Sequence, residues 1–149
     1  MNRAVLFLAL LCVLAIGSVL YAQRLPTQNV DVLPHAVIWV GNREFRVPVA
    51  RTAASRAAGL RGSDAAFLLF VWPDAVRPVF NMLGCDRVLW RYDFSGADRL
   101  GAPVVMQPGS RRYPVEKAVR CVLEVDPAAP AARLFAQPGA TLKLPSFCS

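Results

Sequence analysis

Seven consecutive apolar residues, Ala66 to Trp72, form the densest hydrophobic packet beyond the N-terminus, and Pro73-Asp74 closes it. A packet this short, rich in aromatic and branched side chains, predicts a strand buried on both faces. Ala36 to Val40 predicts another strand, and Gly41-Asn42 a turn. Glu44 to Ala50 alternates polar and apolar positions, the period of a half-buried strand, so the two runs predict a hairpin. Pro48 demotes the second strand to an edge or a bulge. Thr52 to Leu60 predicts a helix of about two turns, with Thr52 as N-cap, alanines inside and Gly59 at the C-cap position.

Further strand-like runs follow at Val79–Met82, Arg87–Phe94, Pro103–Met106, Ala118–Val125 and Thr141–Leu144. Ser95–Asp98 reads as a turn, Gln107–Pro114 as a loop, and Pro130–Ala136 as one helical turn. Many short strands between Gly/Pro turns, with one short helix near 52–60, predict a mainly β single domain of small sandwich or barrel-like type over 35–149.

The first residues change the picture most. Met1-Asn2-Arg3 is a short positive start, Ala4 to Leu20 is apolar or small throughout, and Ala22 precedes the polar Gln23. That order predicts an N-terminal hydrophobic helix serving as a secretory signal, residues 1–22, cleaved after Ala22. Its 17 apolar residues also reach the lower limit for a single span, so retention as an inner-membrane anchor through residues 4–20 is the alternative. Cys12 lies mid-run as an apolar filler. Either way the domain is expected outside the cytoplasm, periplasmic or secreted, with residues 23–34 as a linker.

The 149 residues carry 17 Lys and Arg against 10 Asp and Glu, and removing the leader takes away Arg3 alone. The basic residues are scattered apart from Arg111-Arg112, so the clustering that nucleic-acid binding needs is absent and no nucleic-acid partner is expected. Beyond the leader stand Cys85, Cys121 and Cys148. An oxidising compartment predicts one disulfide among them, and three pairings are possible. Without a Cys-x-x-Cys and without a nearby histidine, a structural bridge outweighs redox chemistry.

His35, the single histidine, precedes the first strand and lacks the scaffolded loop a general base needs. One histidine gives no zinc set, so no metal and no cofactor is expected. Asp64, Asp74, Asp86, Asp93 and Asp98 mostly stand in turn contexts. No residue is therefore nominated as catalytic. The best ligand-binding candidate is the loop around Arg111, Arg112 and Tyr113, which offers forked donors and a stackable ring.

The helix ending in Gly59-Leu60, the apolar packet, Phe80-x-Met82, Pro108 to Tyr113 and Val122-Leu123-Glu124-Val125 together resemble the domain of unknown function 192 family, over roughly Phe45 to Leu144. The resemblance implies a compact, mainly β domain, often exported, with no established activity. It also implies that Arg61 and Asn81 flank one mouth with the arginine loop. This chain departs from the family pattern. Arg61 replaces the methionine after Gly-Leu, and of a Trp-Met-Lys-Asn-Thr segment only Met82 survives, beside Asn81, Leu83, Gly84 and Cys85. Val88-Leu89-Trp90 stands for a Pro-Leu-Asp. The lost polar groups imply a degraded ancestral site, with Cys85 and Trp90 holding the loop by packing. The expected function is a non-catalytic binding or interaction module at the cell envelope, meeting an envelope protein or a small ligand, with membrane contact only through an uncleaved leader. The competing expectation is a thiol-dependent enzyme or accessory using Cys85, Cys121 or Cys148.

Overall fold

The computed structural model describes residues 25–94 and 100–149; the hydrophobic leader and the Ser95–Asp98 turn lie outside the described residues. The domain is mainly β: a curled seven-stranded sheet forming half a barrel, a two-stranded ribbon, and two short helices. In chain order the elements are β1 (His35–Val40), β2 (Arg43–Ala50), α1 (Ala53–Ala58), β3 (Phe67–Val76), β4 (Val79–Met82) and β5 (Leu89–Phe94). Then come β6 (Val104–Met106), β7 (Gly109–Pro114), β8 (Val119–Val125), α2 (Ala132–Phe135) and β9 (Leu142–Lys143).

The large sheet runs β6-β5-β8-β3-β2-β1-β9, with only β2 and β3 parallel. Alternation of side chains divides its core in two. Ile38, Val49, Leu69, Leu123 and Val125 point to one face and pack with Phe135 of α2. Leu68, Phe70, Val122 and Leu89 point to the other, where they meet Phe80, Met82 and Tyr113 of the ribbon and Leu60 beyond α1. The packet that predicted a strand buried on both faces is β3, and it supplies both cores.

The hairpin of β1 and β2 and the helix form where the pattern places them. Thr52 Oγ1 accepts from the Ser55 amide at 3.0 Å while Ser55 Oγ accepts from the Thr52 amide at 3.0 Å, a reciprocal cap. Gly59 ends the helix at φ 55°, a conformation only glycine takes freely.

Five expectations are corrected. Pro48 marks neither an edge nor a bulge, because β2 lies between β1 and β3 and its register with β1 is unbroken. The Val49 amide donates to Pro34 O at 2.8 Å on the β1 side, so alternation aims the Pro48 nitrogen at the β3 side. Pairing with β3 begins only at Val49, so the missing N–H interrupts no ladder. Pro73-Asp74 does not stop β3 either; the strand continues to Val76 through an irregularity that falls between Val71 and Val76, where a proline is tolerated.

Gln107–Pro114 is not a loop throughout: Gly109–Pro114 forms β7 and pairs antiparallel with β4. Its polar composition hid the strand, since of its residues only Tyr113 is buried. Residues 25–34 are also more than a linker. Val30 is buried, a 3-10 turn spans Val30–Val32, and Gln28 Nε2 donates to the Ser55 and Gly59 carbonyls at 2.9 and 3.0 Å. His35, placed before the first strand by the sequence, opens β1.

Of the three possible disulfides, Cys121–Cys148 forms, with Cα atoms 5.3 Å apart. Cys121 shares the α2-side core with Cys148, while Cys85 packs at the margin of the other core and stays free. The sheet separates them. No helix among the described residues is long and apolar enough to cross a membrane.

Candidate functional site

The site lies on the ribbon side of the sheet, where α1, the end of β3 and β4 leave a gap above β8. Glu124 is the anomaly. It sits between Leu123 and Val125 in a strand buried almost throughout, and it is only 5% exposed. Direct pairing places it opposite Leu68 on β3 and Arg91 on β5, so Glu124 and Arg91 share a face.

Three guanidinium groups surround this carboxyl, and each is engaged elsewhere. Arg91 donates to both carboxylate oxygens of Asp93 at 2.8 and 2.9 Å, and to the Tyr113 and Pro114 carbonyls at 2.7 and 3.1 Å. Its guanidinium carbon also lies 5.3 Å from the Phe80 ring centroid. Arg87 pairs with Asp126 at 2.7 Å and reaches the Ser63 and Ala65 carbonyls. Arg61 Nε donates to Leu83 O at 2.8 Å, and its Nη1 to Pro26 O at 2.7 Å and Ala57 O at 3.3 Å.

No hydrogen bond or ion pair from a described residue reaches the Glu124 carboxyl. No buried side-chain oxygen or nitrogen is sealed in without a partner, so the small exposure that remains to Glu124 is to the gap above it. Burial raises its pKa to about 8, against the opposing pull of Arg91, Arg87 and Arg61. The shift extends the pH range over which the carboxyl holds its proton and has a hydrogen to donate.

The gap is a cavity of about 230 Å³, floored by Glu124 and walled by Phe70, Trp72, Phe80 and Met82. The rings are organised: Phe80 meets Phe70 edge-on at 5.1 Å and Trp72 at 6.4 Å between centroids. Arg56, Arg61, Asn81 and Cys85 add side chains with polar ends to the lining. Arg56 Nη1 is tied to the Arg51 and Val71 carbonyls, and its guanidinium carbon lies 5.5 Å from the Trp72 ring. Gly84 lets the rim close tightly. A Cβ there would stand 2.8 Å from a Leu25 methyl and 3.0 Å from Arg61 Cδ, and φ is +76°.

The residues nominated from sequence divide. Arg61 and Asn81 meet at this cavity, Arg61 through its stem and Asn81 at the mouth, where its Oδ1 accepts from the Leu83 amide at 3.2 Å. Arg111, Arg112 and Tyr113 do not line it. Tyr113 is buried and its hydroxyl accepts from the Gln107 amide at 2.8 Å, anchoring β7. Arg111 lies over that ring at 5.5 Å, and Arg112 is exposed opposite Asn81 on the ribbon's outer face. Asp93 belongs to β5, as the strand-like run Arg87–Phe94 predicts, and is held by Arg91.

Sequence reasoning missed Glu124 and Arg91, though the signal was present: each is a charge set among apolar strand residues, Glu124 between Leu123 and Val125 and Arg91 between Trp90 and Tyr92. Cys85 shares the cavity, but burial and then Glu124 push its thiol pKa up, partly offset by Arg61 and Arg87. Among the described residues no three His, Cys, Asp or Glu are grouped to hold a metal.

The domain is similar to two solved structures. One is a protein of unknown function from Novosphingobium aromaticivorans DSM 12444, with a TM-score of 0.61 at 22% identity over 78% of this chain and 90% of that one. The other is a Sinorhizobium meliloti 1021 protein called a "putative transcription regulator", with a TM-score of 0.61 at 16% identity over 75% of this chain and 95% of that one. At such identities the likeness establishes the fold alone. No family model and no curated protein matches the chain.

Proposed function

We propose that this chain is a non-catalytic ligand-binding β-domain of the cell envelope, with its site at the cavity over Glu124. One observation carries the reading: a carboxyl in a buried strand, hydrogen-bonded by no described residue, faces a cavity lined in part by aromatic rings. A carboxyl at the foot of a cavity is met by water when the site is empty, and a ligand with a complementary polar atom can take that water's place. A carboxyl that holds its proton to a raised pH, in a cavity whose lining is polar and apolar in about equal parts, suits a small ligand with both an apolar face and a hydrogen-bond acceptor. The resemblance to the domain of unknown function 192 family is part of the same proposal, supported by the shared order of helix, apolar strand and Val-Leu-Glu strand.

Titrating the isotope-labelled protein with benzamide at pH 6 tests the site. Benzamide offers a flat ring and one carbonyl, and the expected result is amide shifts concentrated at Gly59, Leu60, Phe80 and Asn81. No shift at millimolar benzamide would remove the cavity as a ligand site.

The thiol-dependent alternative has Cys85 free and in the same cavity, yet a thiol whose pKa is raised supplies little thiolate. Placement in the envelope is supported by the leader pattern and by the Cys121–Cys148 bridge. Intact mass of the exported protein without reductant should therefore show a chain starting at Gln23 with one alkylatable thiol. A chain retaining residues 1–22 would favour the anchored form, and three alkylatable thiols would refute the bridge.

A further inference from the structure

We infer that the cavity and the free edge of β4 together take an extended peptide with an apolar anchor residue and acidic neighbours; this rests on the cavity being a ligand site. Among the described residues the ribbon holds two strands, so β7 covers one edge of β4 and no described strand covers the other. The register says which groups are left. Val115 N donates to Pro78 O at 2.9 Å, and the pairing Phe80↔Tyr113 lies two residues along the same ladder. In an antiparallel ladder hydrogen-bonded and non-hydrogen-bonded pairs alternate, so Pro78/Val115 and Phe80/Tyr113 are bonded pairs, while Val79/Pro114 and Asn81/Arg112 are not. Pro114 fits this, since it has no N–H to give. The backbone N–H and C=O of Val79 and Asn81 therefore point away from β7.

They point toward the cavity. All five residues from Pro78 to Met82 line it, and residues 56–61 face them from the opposite side. An edge with unpaired donors and acceptors is a template for an added strand, whose alternate side chains then drop into any neighbouring pocket. Here that pocket presents Trp72 and the edge of Phe80, which suit an aliphatic or aromatic anchor, and Glu124, whose carboxyl can meet a peptide carbonyl. Charge sets the flanks. Arg77 precedes β4 and Arg112 opposes Asn81, both exposed, and Arg56 and Arg61 rim the opening. Acidic residues beside the anchor complement them.

The probe is acetyl-Glu-Val-Leu-Val-Glu-amide, titrated into the isotope-labelled protein at pH 6 beside benzamide. Expected are shifts and slowed amide exchange at Asn81 and Val79, and displacement of benzamide. N-methylation of the edge-facing amides should weaken binding about tenfold, the equivalent of about 1.4 kcal/mol. Replacing both glutamates by lysine should weaken it further. Benzamide binding without peptide binding, or a peptide indifferent to N-methylation, overturns the peptide inference and leaves the cavity reading standing. Failure of both probes removes both.

Discussion

Replacing Arg91 by alanine should cost about 3–5 kcal/mol of stability and loosen the ribbon before the large sheet. Arg91 is 2% exposed and belongs to β5, yet its donors go to the Tyr113 and Pro114 carbonyls of β7 and to Asp93. It is the polar tie between the two sheets. Removing it would leave two ribbon carbonyls short of a donor and a void under Phe80, in a place where water has little access. Arg91→Lys is expected to recover only part of the loss, because one ammonium cannot reproduce a planar fork that serves a carboxylate and two carbonyls together. Denaturant unfolding gives the magnitude, and native-state hydrogen exchange gives the location. Exchange should quicken at the Phe80 and Tyr113 amides while Leu69 and Leu123 in the large sheet stay protected. Equal loss of protection in both sheets would mean that Arg91 supports the fold as a whole and does not specifically tie the ribbon.

The same residue shows where reading the sequence succeeds and where it stops. Local signals were sufficient for the hairpin, where alternation from Glu44 to Ala50 is clean, and for the helix, where Thr52 and Gly59 mark both ends. They were sufficient for β3, because seven apolar residues can only be buried. They failed where a strand's partner decides its character. Gly109–Pro114 reads as a loop because β7 has a single inward side chain, and only pairing with β4 makes it a strand. Pro48 reads as an edge because the sequence does not reveal that its β3 pairing starts one residue later.

The site was half legible for a related reason. Arg61 and Asn81 came from the resemblance and do meet at the cavity. Arg111 and Arg112 drew attention as adjacent charges, and adjacency in a strand puts neighbours on opposite faces. The informative charges were the isolated ones. Arg91 is buried on the face of β5 that carries Leu89, with the exposed Asp93 two residues on, and Glu124 lies on the face of β8 that carries Val122. A charge where the period demands an apolar residue either has a partner from another element or awaits one. Arg91 has its partner in β7. Glu124 has none.

Glu124→Gln should accordingly make the domain more stable, by an amount that grows with pH. The unfolded chain gives up this proton near pH 4.5, while the native state keeps it to about 8. Between those values the native state binds more protons than the unfolded one, so each pH unit of rise costs the wild type about 1.4 kcal/mol. The contribution is full below pH 4.5, declines across the window, and is lost once the native carboxyl ionises. Glutamine keeps the shape and a donor but carries no proton to lose, so its own curve lacks this slope. The wild type and the variant should be closest near pH 4.5 and separate by a few kcal/mol at pH 8 and above. The groups facing Glu124 are Arg91 on β5, Arg87 and Arg61 in the neighbouring loops, and Cys85 at the rim; all are common to both proteins and largely cancel in the difference. Urea unfolding at pH 5, 6, 7, 8 and 9 measures it. Parallel curves would show that the carboxyl is already ionised at pH 5 and held by a partner. That result would also withdraw the proton that the ligand site has to offer.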